Sequence, residues 1–176
     1  MLNKAKVITG IAIGSACFMP LTANANNFSY NYFEVATSVS PDSTGVEFSN
    51  QITDNAHVVA RYTTLFDDDY DLAGGIGFNG PLSQFADIFG QFLIHQIKYT
   101  QEAGGESEVQ AEMNVGVRMW LSDQLEASAR AGRNDDRSVF YAGVRFHSTE
   151  QLSLGLETRN NGLYGPQITM SVRFQF

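Results

Sequence analysis

Apolar and polar residues alternate along most of this chain, and the alternation is cleanest over Gln167 to Phe176. Ile168, Met170, Val172, Phe174 and Phe176 are apolar, while Thr169, Ser171, Arg173 and Gln175 between them are polar or charged. Side chains of a strand point alternately to its two faces, so this stretch predicts a strand with one apolar and one polar face. Its centre, Ser171-Val172-Arg173-Phe174, has four upstream relatives: Gly45-Val46-Glu47-Phe48, Gly75-Ile76-Gly77-Phe78, Gly116-Val117-Arg118-Met119 and Gly143-Val144-Arg145-Phe146. Five related strands point to a repeat architecture.

Applied to the whole chain, the same pattern predicts ten strands. They span Phe28–Val39, Thr44–Ile52, His57–Phe66, Tyr70–Asn79, Ile88–Thr100, Val109–Leu121, Leu125–Arg133, Ser138–His147, Leu152–Asn160 and the closing strand. In the first, Phe28, Tyr30 and Tyr32 fall on the opposite phase to Phe33, Val35 and Val39, which predicts a bulge or rim position near Asn31. Gly80-Pro81 opens the longest connection without strand pattern, ending near Asp87, and the run Phe92-Leu93-Ile94 leaves the facing of His95 and Lys98 open. Most segments approach the roughly 9 to 11 residues that a tilted strand needs to cross a bilayer. Eight strands is the alternative, if the second or fourth fails to cross.

A chain closing on such a strand, with aromatics at Phe174 and Phe176, resembles the bacterial outer-membrane β-barrels, and most of all the small porin-like and OmpX-like class. The resemblance implies an all-β, closed antiparallel transmembrane barrel with both ends on the periplasmic side. It implies integral residence in the outer membrane, with lipid and lipopolysaccharide around it. It also implies recognition of Phe174 and Phe176 by the barrel insertion machinery. In lipid every backbone polar group must be paired, so such a sheet must close. A soluble β-sandwich also alternates, but its solvated face should carry the usual lysines and acids, whereas here that face holds arginines and glutamates in near balance.

The front of the chain has another character. Lys4 and Lys6, an apolar stretch from Val7 to Leu21, and the small residues Ala23-Asn24-Ala25 have the three parts of a secretory signal, read as residues 1–25, with the barrel over 26–176. A membrane-spanning helix needs roughly 20 apolar residues, and this stretch is shorter and holds Gly10, Gly14 and Pro20. Lipidation at Cys17 is disfavoured because Gly14 stands where a larger aliphatic residue is usual. Cys17 is the only cysteine, so removal of the signal leaves no thiol chemistry. The formal charge of −8 becomes −10 without Lys4 and Lys6, an acidic balance that argues against nucleic-acid binding.

With the apolar row of each strand facing lipid, the polar row places Glu34, Glu47, Arg61, Glu112, Arg118, Glu126, Arg130, Arg145, Glu157, Arg159 and Arg173 in the lumen. Placing these groups against acyl chains would cost about 2–4 kcal/mol for each arginine near the midplane, and less for each acid. A narrow barrel fills with side chains, so the charges either pair to fix the register or line a path for small solutes or ions. Aspartate is absent from the predicted inward rows. Asp67, Asp68, Asp69, Asp71, Glu106, Glu108, Asp135 and Asp136 form a predicted acidic rim that attracts cations and could take divalent ones.

No cofactor, metal-binding spacing or catalytic set is recognisable. Phe146-His147-Ser148 with Glu157 resembles lipid A deacylases, which carry such residues on a lipid-facing wall, but His147 falls on the inward phase at a strand end. The outer connections are short, which leaves little surface for adhesion to a large partner. The sequence therefore predicts a porin-like barrel, either a narrow passive channel or a structural one, and not an enzyme.

Overall fold

The computed structural model describes residues 28–65, 69–99 and 106–176, so the predicted signal, Asp67 and Asp68 lie outside the described residues. Ten strands form: β1 (Tyr32–Val39), β2 (Ser43–Thr53), β3 (Ala56–Thr64), β4 (Tyr70–Ser83), β5 (Ala86–Lys98), β6 (Ser107–Ser122), β7 (Leu125–Asn134), β8 (Arg137–His147), β9 (Leu152–Asn160) and β10 (Pro166–Gln175). Each pairs antiparallel with its sequence neighbours, and β1 pairs with β10 to close the ring. The eight-strand alternative fails because β2 and β4 run for 11 and 14 residues and pair on both sides.

The ring is inside-out relative to a water-soluble domain. Its exposed surface carries Phe33, Val35, Ile76, Phe92, Val115, Val144, Leu154 and Val172, while Glu112, Asn134, Asp87, Thr169 and Ser38 are fully buried. Apolar surface continuous around a whole barrel is the signature of a protein solvated by lipid, because water-soluble monomers rarely expose patches beyond a few hundred Å². Among the described residues no helix crosses the membrane; the strands do.

The end of the barrel that carries β1's start and β10's finish, here the terminal end, has an aromatic girdle. Phe33 lies opposite both Phe48 and Phe174 in register, and Phe48 stacks on Phe176 with ring centroids 6.0 Å apart. Aromatic rings collect at the depth where acyl chains give way to head groups. The five related quartets all fall on even-numbered strands, which run toward this end. In each the small first residue points inward, leaving room beside a bulky neighbour: a Cβ on Gly143 would lie 2.5 Å from Glu157 Cβ, and one on Gly116 2.6 Å from Arg130 Cβ.

The structure corrects two expectations and decides a third. Of the bulge or rim position expected near Asn31 it has the rim, with no register shift in the β1 ladder; Phe28, Tyr30 and Tyr32 share the inward phase with Glu34 and are buried inside the barrel. Their aromatic character reflects filling of the lumen mouth. Gly80 and Pro81 remain in β4, paired with Ile88 and Asp87, and the connection shrinks to a turn at Gln84-Phe85 after an irregularity between Pro81 and Ser83. A bulge lets a strand carry proline while pairing continues. Aspartate is also present inside: Asp71 on β4 and Asp87 on β5 point into the barrel.

Candidate functional site in the barrel lumen

Alternation along each strand brings the inward side chains into rings, and the cross-strand register decides which charges meet. At one level β10, β1, β2 and β3 contribute Arg173, Glu34, Glu47 and Arg61 as successive partners, two acids flanked by two bases. Like charges directly opposite repel. Glu34 and Glu47 are each held by an outer guanidinium, Glu34 accepting from Arg173 Nε and Glu47 from Arg61 Nε at 2.7 Å. Glu34 also takes Arg145 Nη2 at 2.9 Å, and Glu47 accepts the Tyr32 hydroxyl at 2.6 Å. Arg173 lies over the Tyr32 ring at 3.8 Å.

A second group lies toward the terminal end. Arg118 grips Glu126 with two bonds, Nε at 2.7 Å and Nη2 at 3.0 Å, and His147 Nε2 lies 3.0 Å from the same carboxylate. The paired fork fixes both position and orientation of the carboxylate. A third group reaches toward the far end, where His95 Nδ1 is 2.8 Å from Asp71 and its Nε2 is 3.2 Å from Glu112. Arg61 approaches Glu112 at 3.8 Å, and Asn114 donates to it.

Three predicted lumen residues stand apart. Arg130 donates to Gln91 at 3.1 Å and lies 3.6 Å over the Tyr141 ring, and Arg159 donates to Gln167 and Ser38. Glu157 lines the central cavity beside Arg130, Arg145 and Arg173. Among the described residues none of these three forms a direct ion pair. All eleven predicted lumen charges lie on inward rows, and alternation with register brings eight of them into pairs.

The predicted rim divides. Glu106, Glu108, Asp135 and Asp136 are exposed at the far end, with Glu108 accepting from Tyr99, Asp135 from the Ala111 amide, and Asp136 facing Arg133 at 3.8 Å. Burial and the Glu108 bond push the Tyr99 phenol above its ordinary value, so it stays protonated as donor. Asp69 and Asp71 are instead buried. Asp69 caps the backbone at Leu65, and Asp71 belongs to the His95 group. The β4 phase decides this, because Asp71 shares its face with Ala73 and Gly75. Among the described residues no cluster of three or more histidines, cysteines or acids is arranged to hold a metal ion.

The facing of β5 is now settled. Leu93, His95 and Ile97 point inward and Phe92 and Ile94 outward, with Lys98 on the outward phase. Three consecutive apolar residues occur because Leu93, on the inward row, is fully buried between Gly75 and Glu112 of the neighbouring strands. Sequence reasoning missed Asp71, Asp87 and His95 as lumen groups; counting phase from Gln91 rather than from the apolar run would have found His95.

The free space inside is small. The central cavity, bordered by Tyr32, Glu47, Arg130, Tyr141, Arg145 and Arg173, measures about 80 Å³, and a second pocket beside Glu34, Arg61 and Arg159 about 30 Å³. At about 10–15 Å³ of such space per water, the larger holds on the order of five waters.

A wider vestibule of about 730 Å³ opens at the terminal end. Its floor is Phe28 stacked on Trp120 at 5.5 Å, with His147 against the indole at 4.6 Å. Below it, Tyr30 stacks on His57 at 4.6 Å and donates to Asp87 at 3.3 Å. A Cβ on Gly77 would lie 2.1 Å from His57 Nε2, so only glycine leaves this imidazole its place. Burial pushes the Tyr30 phenol up against the opposing Arg118 charge, with Asp87 adding to the rise, and it remains a donor.

No protein-family model matches the chain, and no curated protein matches it in sequence. Solved structures do match in shape. The KdgM porin in complex with disordered oligogalacturonate superposes with a TM-score of 0.55 at 7% identity, over 82% of this chain and 98% of that one. A second KdgM porin structure gives 0.54 with the same identity and coverage. The NanC porin gives 0.48 at 8% identity, again over 82% and 98%. At such identity the likeness is one of architecture, and it agrees with the lipid-facing surface and closed ladder: the chain is a ten-stranded membrane β-barrel of porin-like fold.

Proposed function

We propose that this protein is an integral outer-membrane barrel that acts as a narrow passive channel for water and small ions, with a modest preference for cations. The observation that carries the reading is the lumen itself, lined largely by charged and polar side chains yet holding a central cavity of only about 80 Å³. Paired arginines and glutamates keep the walls together and leave space for a few waters. A saccharide such as the oligogalacturonate named with the KdgM porin would need far more room than this.

Asp71 and Asp87 add negative charge to the five lumen glutamates, against six arginines, and Glu106, Glu108, Asp135 and Asp136 surround the far mouth. A narrow low-dielectric passage focuses such a field, so cations gather at the entrance. Lipid and lipopolysaccharide would face the apolar belt, and the insertion machinery would meet the β10 edge that carries Phe174 and Phe176.

Refolded protein in a planar bilayer under a salt gradient tests the reading. The expected result is small conductance steps with a reversal potential on the cation side. Large, weakly selective steps would refute the paired narrow lumen. Absence of steps across the voltage range, with a folded barrel on an unheated gel, would leave a structural barrel.

A further inference from the structure

The wide vestibule and the central cavity are parted by Phe28–Tyr30 together with Phe89, Arg118 and Trp120 from the strands. The two spaces share one lining residue, Arg118; Phe28 and Ser29 border the vestibule, while Tyr30 borders the cavity. These three residues precede β1, whose ladder begins at Tyr32. They fold back into the terminal mouth, and Phe28 and Tyr30 form with Phe89 and Trp120 the apolar cluster of the interior.

Side chains of four different strands hold this segment. Arg118 lies 4.8 Å over the Phe28 ring and 5.1 Å over the Tyr30 ring, and donates to the Ser29 carbonyl at 3.2 Å. Ser49 donates to the Tyr30 carbonyl at 2.7 Å, and His57 and Asp87 take the Tyr30 ring and hydroxyl. At Asn31 the attachment changes character: its side chain accepts the Gln51 amide at 2.6 Å and its carbonyl the Phe176 amide at 3.3 Å. Asn31 is thus fastened to the rim, while among the described residues Phe28–Tyr30 is fastened to groups inside the mouth. Lifting Phe28–Tyr30 about Asn31 breaks no strand pairing.

We propose that Phe28–Tyr30 is a strap, hinged at Asn31, that gates the terminal mouth of the lumen. Closed, it places two aromatic rings across the passage, an apolar constriction of the kind that excludes water. Open, it joins the vestibule to the cavity and frees Arg118 to face solvent while still bound to Glu126. The inference rests on the channel reading above, since a gate has meaning only where something passes.

Trp120 is the chain's single tryptophan and reports the strap's position, because Phe28 covers it. Tyr30→Ala removes the inner anchor without touching Trp120. In this variant, folded by the unheated-gel criterion, the expected result is greater quenching of Trp120 by acrylamide, a red-shifted emission and a larger unitary conductance than in the unmutated protein. If Tyr30→Ala does not refold, Tyr30→Phe removes only the Asp87 bond and should move both readings the same way by less. Greater quenching with unchanged conductance overturns the gate and leaves the channel standing. Larger conductance with Trp120 still covered shows local widening and overturns the strap as a unit. No conductance in either protein overturns gate and channel together.

Discussion

Among the described residues Glu34 alone is ion-paired with two guanidiniums, which makes Glu34→Ala the sharpest test of the paired lumen. Its carboxylate lies 2.9 Å from Arg145 Nη2 and accepts from Arg173 Nε, all on the inner face of the barrel. Removing one partner of a buried ion pair typically costs about 3–5 kcal/mol, because the remaining charge stays desolvated. Arg145 keeps longer bonds to Ser153 and Ser171 at 3.5 and 3.4 Å and a register neighbour in Glu126, and Arg173 keeps the Tyr32 ring. These contacts and the adjoining cavity waters place the expected loss near the lower bound, about 3 kcal/mol. Against a typical domain stability of about 5–15 kcal/mol that is a large fraction. Guanidinium unfolding of the refolded barrel in vesicles, read by Trp120 fluorescence, measures it. Adding Arg145→Ala to Glu34→Ala should recover part of the loss, since one stranded cation leaves with it. A Glu34→Ala midpoint shift corresponding to less than about 1 kcal/mol, the range of solvent-exposed pairs, would refute a desolvated network.

Arg130→Ala removes a cation that forms no ion pair among the described residues, so it should cost no more than about 1–2 kcal/mol while shifting the reversal potential further to the cation side. Val115→Arg puts a charge on the lipid face, exposed in the middle of β6, and should destabilise by about 2–4 kcal/mol in vesicle unfolding. The same change at Thr44, near the far rim, should cost about 1 kcal/mol or less. Phe176→Asp breaks the stack on Phe48 and the girdle row, whereas Gln175→Asp does not, so outer-membrane yield should fall more for the former; equal yields would remove Phe176 from assembly.

The fold was legible because lipid imposes a two-state code on every crossing residue, and alternation is that code written out. Arg118, Arg145 and Arg173 could be placed inward from the quartets alone, since their neighbours Val117, Val144 and Val172 fixed the phase. The partners were less legible. Glu34 meeting Arg145 depends on strand stagger and on which side chains cross the lumen, and neither is encoded in local periodicity. Where apolar side chains enter the inward row, at Leu93 and Ile97, the code loses contrast because neighbouring positions on both faces are apolar. Asp71 and Asp87 were misplaced for the opposite reason: aspartate is favoured in turns, and strand phase overrode that preference.

The quartets on alternate strands make the hairpin the structural repeat of this ring. Each hairpin carries the same assignment of lipid and lumen sides, so duplicating or losing one leaves the outer surface correctly written. What changes is the company kept at the seam. Glu34 faces Arg173 only because β1 closes directly on β10. A hairpin added at either end of the ladder would seat other residues there and part Glu34 from Arg173, leaving Glu34 its bond to Arg145. Ring size is thus tied to a few interior pairs, and a change in strand number made at the seam should cost stability unless the residues facing Glu34 and Arg173 change with it.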